Sequence, residues 1–434
     1  MMIANLALLV LAATAPAAPA RILALDEALA TARVQHPLIH QAAAGTQAAA
    51  ARADETLSPL LPQVSGSAGY QRSTANFTSR PGSLPGGVGG GGTSQSWATF
   101  NYFNLGLSAS QLLYDFGQSS SRWRSSQASA DSQRASERTT LDQVLFSVRT
   151  TYFQARAAKS AVSVGVDTLA NQEKHLQQTE GFVEAGTQAE IALAQARTGV
   201  ANAKVQLINA QNAYETAKAQ LNQSMGVEGS TDYDVTDEPQ PPVDGEDGTT
   251  GVLVGEALNT RPEFAALANQ VRAQELTLRA IKGAYGPSLF ASTGFTDAGE
   301  QASNLTWNWN TAISLSVPIF QGGQTKAQVR EAEATLASIR SQVDLERQQV
   351  RLEVEQARLA VRAAKEALVA SGEALANASE QLRLAEGRYE TGIGSIIELS
   401  DSQVAMTNAA YQKVQAEYVL AQARAGLIKA LGRD

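Results

Sequence analysis

The sequence predicts a mainly α-helical chain with a smaller β portion. Two copies of one long helical hairpin are expected, each preceded by a pair of strands, four strands in all. Three observations predict this. Leu382–Asp401 repeats Leu176–Gln195 at a distance of 206 residues, setting Gly181 against Gly387, Gly186 against Gly392 and Leu193 against Leu399. No Pro occurs between Pro85 and Pro239 or after Pro318. Long unbroken helices need that absence, because Pro lacks the amide N–H and clashes with the preceding turn. Apolar residues also recur every seven positions along these stretches, the spacing of a coiled-coil seam.

The elements follow in order. Residues 1–20 carry an apolar run, Ile3–Ala13, ahead of the small residues Ala18-Pro19-Ala20. They read as a cleaved secretory signal, although no Lys or Arg precedes the run. The first structural repeat is expected over 21–226. A helix of about two dozen residues begins at Pro37, where a missing N–H is harmless. Pro37–Tyr70 matches Pro262–Phe295 at an offset of 225, and from Leu113 onward the offset is 206. The difference of 19 lies in a loop inserted around residues 81–94, PGSLPGGVGGGGTS. Two candidate strands flank that loop. A long helix is expected from Gln118 to about Glu184, roughly 100 Å at 1.5 Å per residue, and a return helix over about 188–225.

Residues 227–255 read as an acidic linker at the waist. Glu228, Asp232, Asp234, Asp237, Glu238, Asp244, Glu246 and Asp247 fall there, and Pro239, Pro241 and Pro242 stop regular structure. A solvated linker is the plain expectation and a cation site the alternative. The second repeat is expected over 256–434. On its long helix Val354, Val361, Leu368, Leu375, Leu382 and Tyr389 form a bulky heptad seam, and Val350, Ala357, Ala364, Ser371 and Ala378 a smaller companion. Val148, Ala155, Val162, Leu169, Leu176 and Val183 occupy the matching positions of the first copy.

The strand segments alternate. Ile313, Leu315, Val317 and Ile319 are expected on one face, with Ser314 and Ser316 on the other; Leu105, Leu107 and Leu113 alternate less cleanly with Gly106, Ser108 and Ser110. Trp97, Phe100, Tyr102, Phe103, Trp307 and Trp309 gather near the loops as an interfacial girdle would. A half-buried soluble sheet gives the same alternation. If the strands do face lipid, four cannot close a barrel, and an open edge in hydrocarbon is prohibitive, so several chains must pool them.

Composition excludes several classes. Asp plus Glu exceed Lys plus Arg by 8, which gives no reason to propose nucleic acid as a partner. With no Cys there is no disulfide framework and no thiolate metal site. His36 and His40 have an i,i+4 spacing, but Pro37 stands between them and no third ligand is evident; His175 is isolated on the long helix. The glycines at 86–92 are low-complexity loop rather than a phosphate loop. An enzyme, a cofactor and a resident metal are all unexpected.

The duplicated plan resembles the TolC-like outer membrane efflux proteins, the outer membrane factors. So do QLLYDFGQ (111–118), VPIFQGGQ (317–324), GTQAEIALAQAR (186–197) and GIGSIIELSDSQ (392–403). The resemblance covers nearly all of the chain after residue 22. It implies a homotrimer with a twelve-stranded barrel in the outer membrane of a Gram-negative bacterium and a twelve-helix periplasmic tunnel. It also implies two partners, a periplasmic adaptor (membrane fusion protein) and an inner-membrane pump. Many relatives carry an acylated N-terminal Cys; here the barrel alone is expected to contact outer membrane lipid.

By the same resemblance, Gly186, Thr187, Gly392, Ile393 and Gly394 at the tips meet the adaptor. Glu398 and Asp401 match the acidic positions ringing the family's periplasmic constriction, and Tyr389 its constriction tyrosine. Two positions depart. Gly394 stands where the family has a gate arginine, and Ala192 where it has the aspartate that arginine binds. The implied function is a passive exit duct for small molecules in a tripartite efflux pump. The alternatives are the same duct serving type I protein or peptide secretion, and a non-transporting coiled-coil or adhesion protein.

Overall fold

The computed structural model describes residues 21–74 and 97–433. The expected signal segment and the inserted loop at 81–94 lie outside the described residues. Strand β1 (Arg21–Leu23) leads into α1 (Leu25–Gln35), extended His36 and then α2 (Pro37–Leu57). After a 3₁₀ turn at Ser58–Leu60 come β2 (Gln63–Thr74), β3 (Thr99–Tyr114), α3 (Gln118–Glu184) and α4 (Glu190–Met225). Strand β4 (Tyr233–Val235) lies in the linker. The second copy then runs α5 (Thr250–Thr260), α6 (Pro262–Gly283), β5 (Ser288–Gln301), β6 (Asn304–Ser316), α7 (Gln324–Glu390) and α8 (Ile396–Leu431).

In the hairpin helices the duplication is kept to the residue. Helices α3 and α7 each have 67 residues, and α4 and α8 each have 36. It also reaches further upstream than the Pro37–Pro262 match, because α1 and α5 each have 11 residues at the same offset of 225. Both end in an extended residue, His36 or Arg261, because the following Pro disfavours helical geometry at the position before it.

The chain divides into two compact units. One holds the chain up to Gln41, Thr139–Arg261 and Gln349 to the C-terminal end; it contains both tips. Its core follows the heptads. Val354, Val361, Leu382 and Tyr389 are buried on the bulky seam of α7, and Val350, Ala364 and Ala378 on the smaller seam. On α3, Val148 and Ala155 are buried, while Val162, Leu169, Leu176 and Val183 are half-buried. A second cluster joins Leu23, Ala28, Ala32, Val148, Tyr152 and Leu221, so that β1 and α1 pack on the first hairpin.

The linker departs from the solvated, irregular segment expected. Strand β4 pairs in parallel with β1, in register from Arg21↔Tyr233 to Leu23↔Val235. Its carboxylates answer cations placed by the duplication. Lys159 Nζ lies 2.9 Å from Asp234 and 3.1 Å from Asp237, and Lys218 donates to the Thr231 carbonyl at 3.0 Å. Lys365 and Arg424 stand 206 residues after these two. Lys365 Nζ lies 2.7 Å from Glu246 and 2.8 Å from Asp247; Arg424 grips Glu246 through two bonds of 3.0 and 3.1 Å. The linker is thus fastened twice, by equivalent positions of the two hairpins. Composition showed the anions, but their cations are remote in sequence.

The other unit, Ala42–Arg138 and Pro262–Gln348, carries an antiparallel sheet in the order β2-β3-β5-β6. The β3–β5 pairing joins the two copies, and β2 and β6 are left as free edges. The strands run to 12, 16, 14 and 13 residues. Side chains directly across an antiparallel pair share a face. Val64, Tyr70, Phe103, Leu105, Leu107, Phe295, Trp307, Trp309, Ile313 and Leu315 therefore fall on one face. Ser65, Ser67, Asn104, Ser108, Ser292, Asn308, Asn310 and Ser314 fall on the other. Two expectations need correction. Strand β6 ends at Ser316, so Val317 and Ile319 are not strand residues; Pro318 between them has no N–H to give a ladder. The six aromatics are not one girdle either: Phe100 is buried, and with Tyr102 it alternates away from the face of Phe103.

Candidate functional site: the hairpin tips

Each tip is a helix stop, a five-residue turn and a helix restart. At the first, Gly186 N–H donates to Val183 O at 3.0 Å and Thr187 N–H to Phe182 O at 2.9 Å. At the second, Gly392 N–H donates to Tyr389 O and Ile393 N–H to Arg388 O, both at 3.0 Å. This bond pair satisfies the last helix carbonyls and needs a left-handed residue at its centre, which Gly supplies. Gly186 and Gly392 have φ of 72° and 76°. A Cβ on either would meet nothing within 4 Å, so the backbone there is open to a partner.

The backbones match but the surfaces do not. The first turn shows Thr187 and Gln188; the second shows Ile393, 76% exposed, and Gly394. Their restarts differ too. Ser395 caps α8 by accepting the Glu398 N–H at 3.1 Å, whereas Ala189 gives α4 no side-chain cap. Gly394 is held for another reason. A Cβ there would come within 2.9 Å of Tyr389 N and 3.0 Å of Arg388 C.

Behind the turns the two hairpins are joined through Tyr389. Its ring is 1% exposed and packs with Leu382, Ala385 and Leu399. Its hydroxyl donates to Gln188 Oε1 at 3.0 Å and shares a 3.2 Å bond with Thr179 Oγ1. One side chain of α7 thus ties α3 and the first tip turn to the second hairpin. Phe182 and His175 of α3 meet the ring edge-on, with centroids 5.7 and 5.1 Å away. Burial lowers the pKa of His175.

The acidic pair is placed unevenly. Glu398 is half-buried and faces Arg388 of α7 across the turn, with Nε to Oε1 at 3.5 Å. Asp401 is exposed and lines a groove of about 590 Å³ among α3, α4 and α8, together with Gln172, His175, Gln195 and Gln403. Ala192 is buried. The structure therefore brings Tyr389, Gln188, Thr179, His175, Arg388 and Glu398 into one neighbourhood. Sequence reasoning misses Arg388, Gln188 and Thr179, and it reads His175 as isolated, which the packing against Tyr389 corrects. His175 had a signal, since it lies seven residues from both Thr168 and Phe182 on a heptad line.

Among the described residues, no group of three or more His, Asp or Glu is placed to hold a metal ion. No described helix is long and apolar enough to cross a membrane.

Comparison with known proteins matches this architecture. A family model described as "Outer membrane efflux protein" covers residues 28–227 and 253–433. The pyoverdine export outer membrane protein OpmQ of Pseudomonas aeruginosa is 26% identical, over 94% of this chain and 85% of its own length. Outer membrane protein TolC of Escherichia coli is 25% identical, over 89% of this chain and 78% of its own. Among solved structures, the outer-membrane channel OprN superposes with a TM-score of 0.80 at 20% identity, over 94% of this chain and 90% of that one.

Proposed function

The chain belongs to the outer membrane efflux protein family, and from that premise we propose that it is the outer-membrane exit duct of a tripartite pump exporting small molecules. Family membership makes it an outer membrane protein of a Gram-negative cell, and its named relatives are channels and export proteins rather than enzymes. The observation that carries the reading is the pair of equal hairpins, 67 and 36 residues in each copy, beside a four-stranded sheet with two free edges. A sheet with one apolar face and two open edges cannot stand in hydrocarbon alone; three chains joining β2 to β6 close a twelve-stranded barrel. The apolar face then meets lipid, and the Ser- and Asn-rich face lines the lumen.

In this reading the tips at Gly186, Thr187, Gly392, Ile393 and Gly394 receive a periplasmic adaptor, and the adaptor links the duct to an energy-consuming inner-membrane pump. The duct itself conducts passively. Tyr389 holds the closed constriction, and Glu398 and Asp401 of three chains give it a negative ring. OpmQ, named for pyoverdine export, and CusC, named for cation efflux, support small-molecule cargo over secreted protein. The test is deletion of the gene. Lost tolerance to a drug, metal or metabolite, with secreted proteins unchanged, is expected. Loss of a secreted protein with tolerance intact would overturn the small-molecule reading.

A further inference from the structure

His175 is anomalous among the groups behind the tips. It is 5% exposed, yet neither Nδ1 nor Nε2 has a hydrogen-bond partner among the described residues. A neutral imidazole still carries one N–H donor, and a buried donor without an acceptor costs about 1–3 kcal/mol. Such a cost points to a role beyond packing, because Leu or Phe would fill the same heptad position without it.

The surroundings define what a second proton would do. From α7 the ring meets the edge of Tyr389. On its own helix, Glu173 and Lys174 are exposed, and Glu173 lies 3.8 Å from Lys204 of α4; Glu180 lies 3.7 Å from Arg197 of α4. The α4 residues beside it in the groove include Gln195, Thr198, Asn202 and Gln206, and no α4 residue lining the groove is charged. From α8 the groove is lined by the carboxylate of Asp401, while Glu398 is engaged by Arg388. A protonated ring therefore has no acceptor where it now lies, and a carboxylate in the groove beside it.

We propose that His175 makes the tip joint acid-sensitive: protonating its ring drives it from the edge of Tyr389 toward the groove of Asp401 and unlocks the constriction. The step is a proton taken from solvent by one ring nitrogen, with no bond made or broken elsewhere. Its leverage comes from geometry. Thr179 Oγ1 lies within hydrogen-bond reach of both the Tyr389 hydroxyl, at 3.2 Å, and the His175 carbonyl, at 2.9 Å, and its single proton serves one or the other. The ring and the hydroxyl contact thus hang on one turn of α3. The direction follows from linkage. Burial holds the shut-state value below the ordinary 6.5, so the open state binds protons more readily. Closure is unaffected by pH well above 6.5 and weakens as pH falls through it, by at most about tenfold per pH unit per chain. An acidified periplasm would relax the duct, and a neutral one would shut it.

This inference rests on the reading of Tyr389 as the residue that holds the closed constriction, and the experiment separates the two. The purified protein is reconstituted in planar bilayers, and its open fraction is recorded from pH 7.5 to 5.0. Wild type should open increasingly below pH 6.5. His175→Phe, which keeps an aromatic edge against Tyr389, and His175→Leu should both be flat across that range. Tyr389→Phe, which loses both hydroxyl bonds, should be more open at every pH. An acid response persisting in His175→Phe and His175→Leu, or absent from wild type while Tyr389→Phe is more open, overturns the switch alone. A Tyr389→Phe protein no more open than wild type overturns the constriction and the switch with it.

Discussion

Glu398 and Asp401 stand three residues apart on α8, but their charges are not equally available. Arg388 lies 3.5 Å from Glu398, while Asp401 is exposed in the groove. In planar bilayers the double variant Glu398→Ala/Asp401→Ala is expected to lose cation preference and multivalent-cation block. Of the single variants, Asp401→Ala should lose more, and Arg388→Ala should gain cation preference by freeing Glu398. Equal selectivity in the wild type and all four variants would remove the acidic ring from conduction. Glu246 makes a different prediction. Burial alone would raise its pKa, but the hydrogen bonds from Arg424 and Lys365 outweigh burial and hold it at about 2. A depressed carboxylate stabilises fully above its ordinary 4.5, and that contribution drains away as pH falls toward 2. Glu246→Gln, which leaves Arg424 and Lys365 without their anion, should cost on the order of 3 kcal/mol at pH 7. The thermal-unfolding gap to wild type should close progressively between pH 4.5 and 2; a gap independent of pH would show that packing, not charge, is lost.

At the scale of elements, the tip turns separate strain from bulk. Any side chain at Gly392 meets a left-handed backbone, costing about 1–2 kcal/mol, while its Cβ meets nothing within 4 Å in its own chain. Gly392→Ala carries the strain alone and should retain export. Gly392→Leu adds bulk and should abolish export, read as the tolerance lost on gene deletion, while the protein still reaches the outer membrane. Undiminished export in both would count against close docking at this turn. Gly394→Arg should fail to restore the family's gate arginine, because its Cβ would crowd Tyr389 N and Arg388 C; a more open channel than wild type is expected. The long helices were legible because seven-residue periodicity over 67 positions cannot be mistaken for a drifting surface pattern. Helices α1 and α5 were not, since 11 residues give too few turns for a period to emerge. The β1–β4 ladder joins two three-residue segments more than 200 positions apart, and no local signal announces that pairing. The Arg388–Glu398 and Tyr389–Gln188 contacts were hidden for the same reason, each lying across a turn or between hairpins.

At the scale of the whole molecule, the free edges β2 and β6 carry the assembly prediction. Mass measurement in detergent should give three chains, and a stable folded monomer would sink the shared barrel. The alternation of the strands had made either a membrane or a soluble sheet readable; the register adds that one face gathers the Trp and Leu side chains and the other the Ser and Asn. The two tips carry one further consequence. Their backbones are copies, but one ends in Thr187–Gln188 beneath an uncapped restart, and the other in Ile393–Gly394 beneath a Ser395 cap. A partner arriving as many identical subunits would find quasi-equivalent berths, polar and apolar by turns, two to each chain. Its binding isotherm should then resolve into two classes of equal number, and weakening one class by mutation would halve the stoichiometry before it abolished attachment.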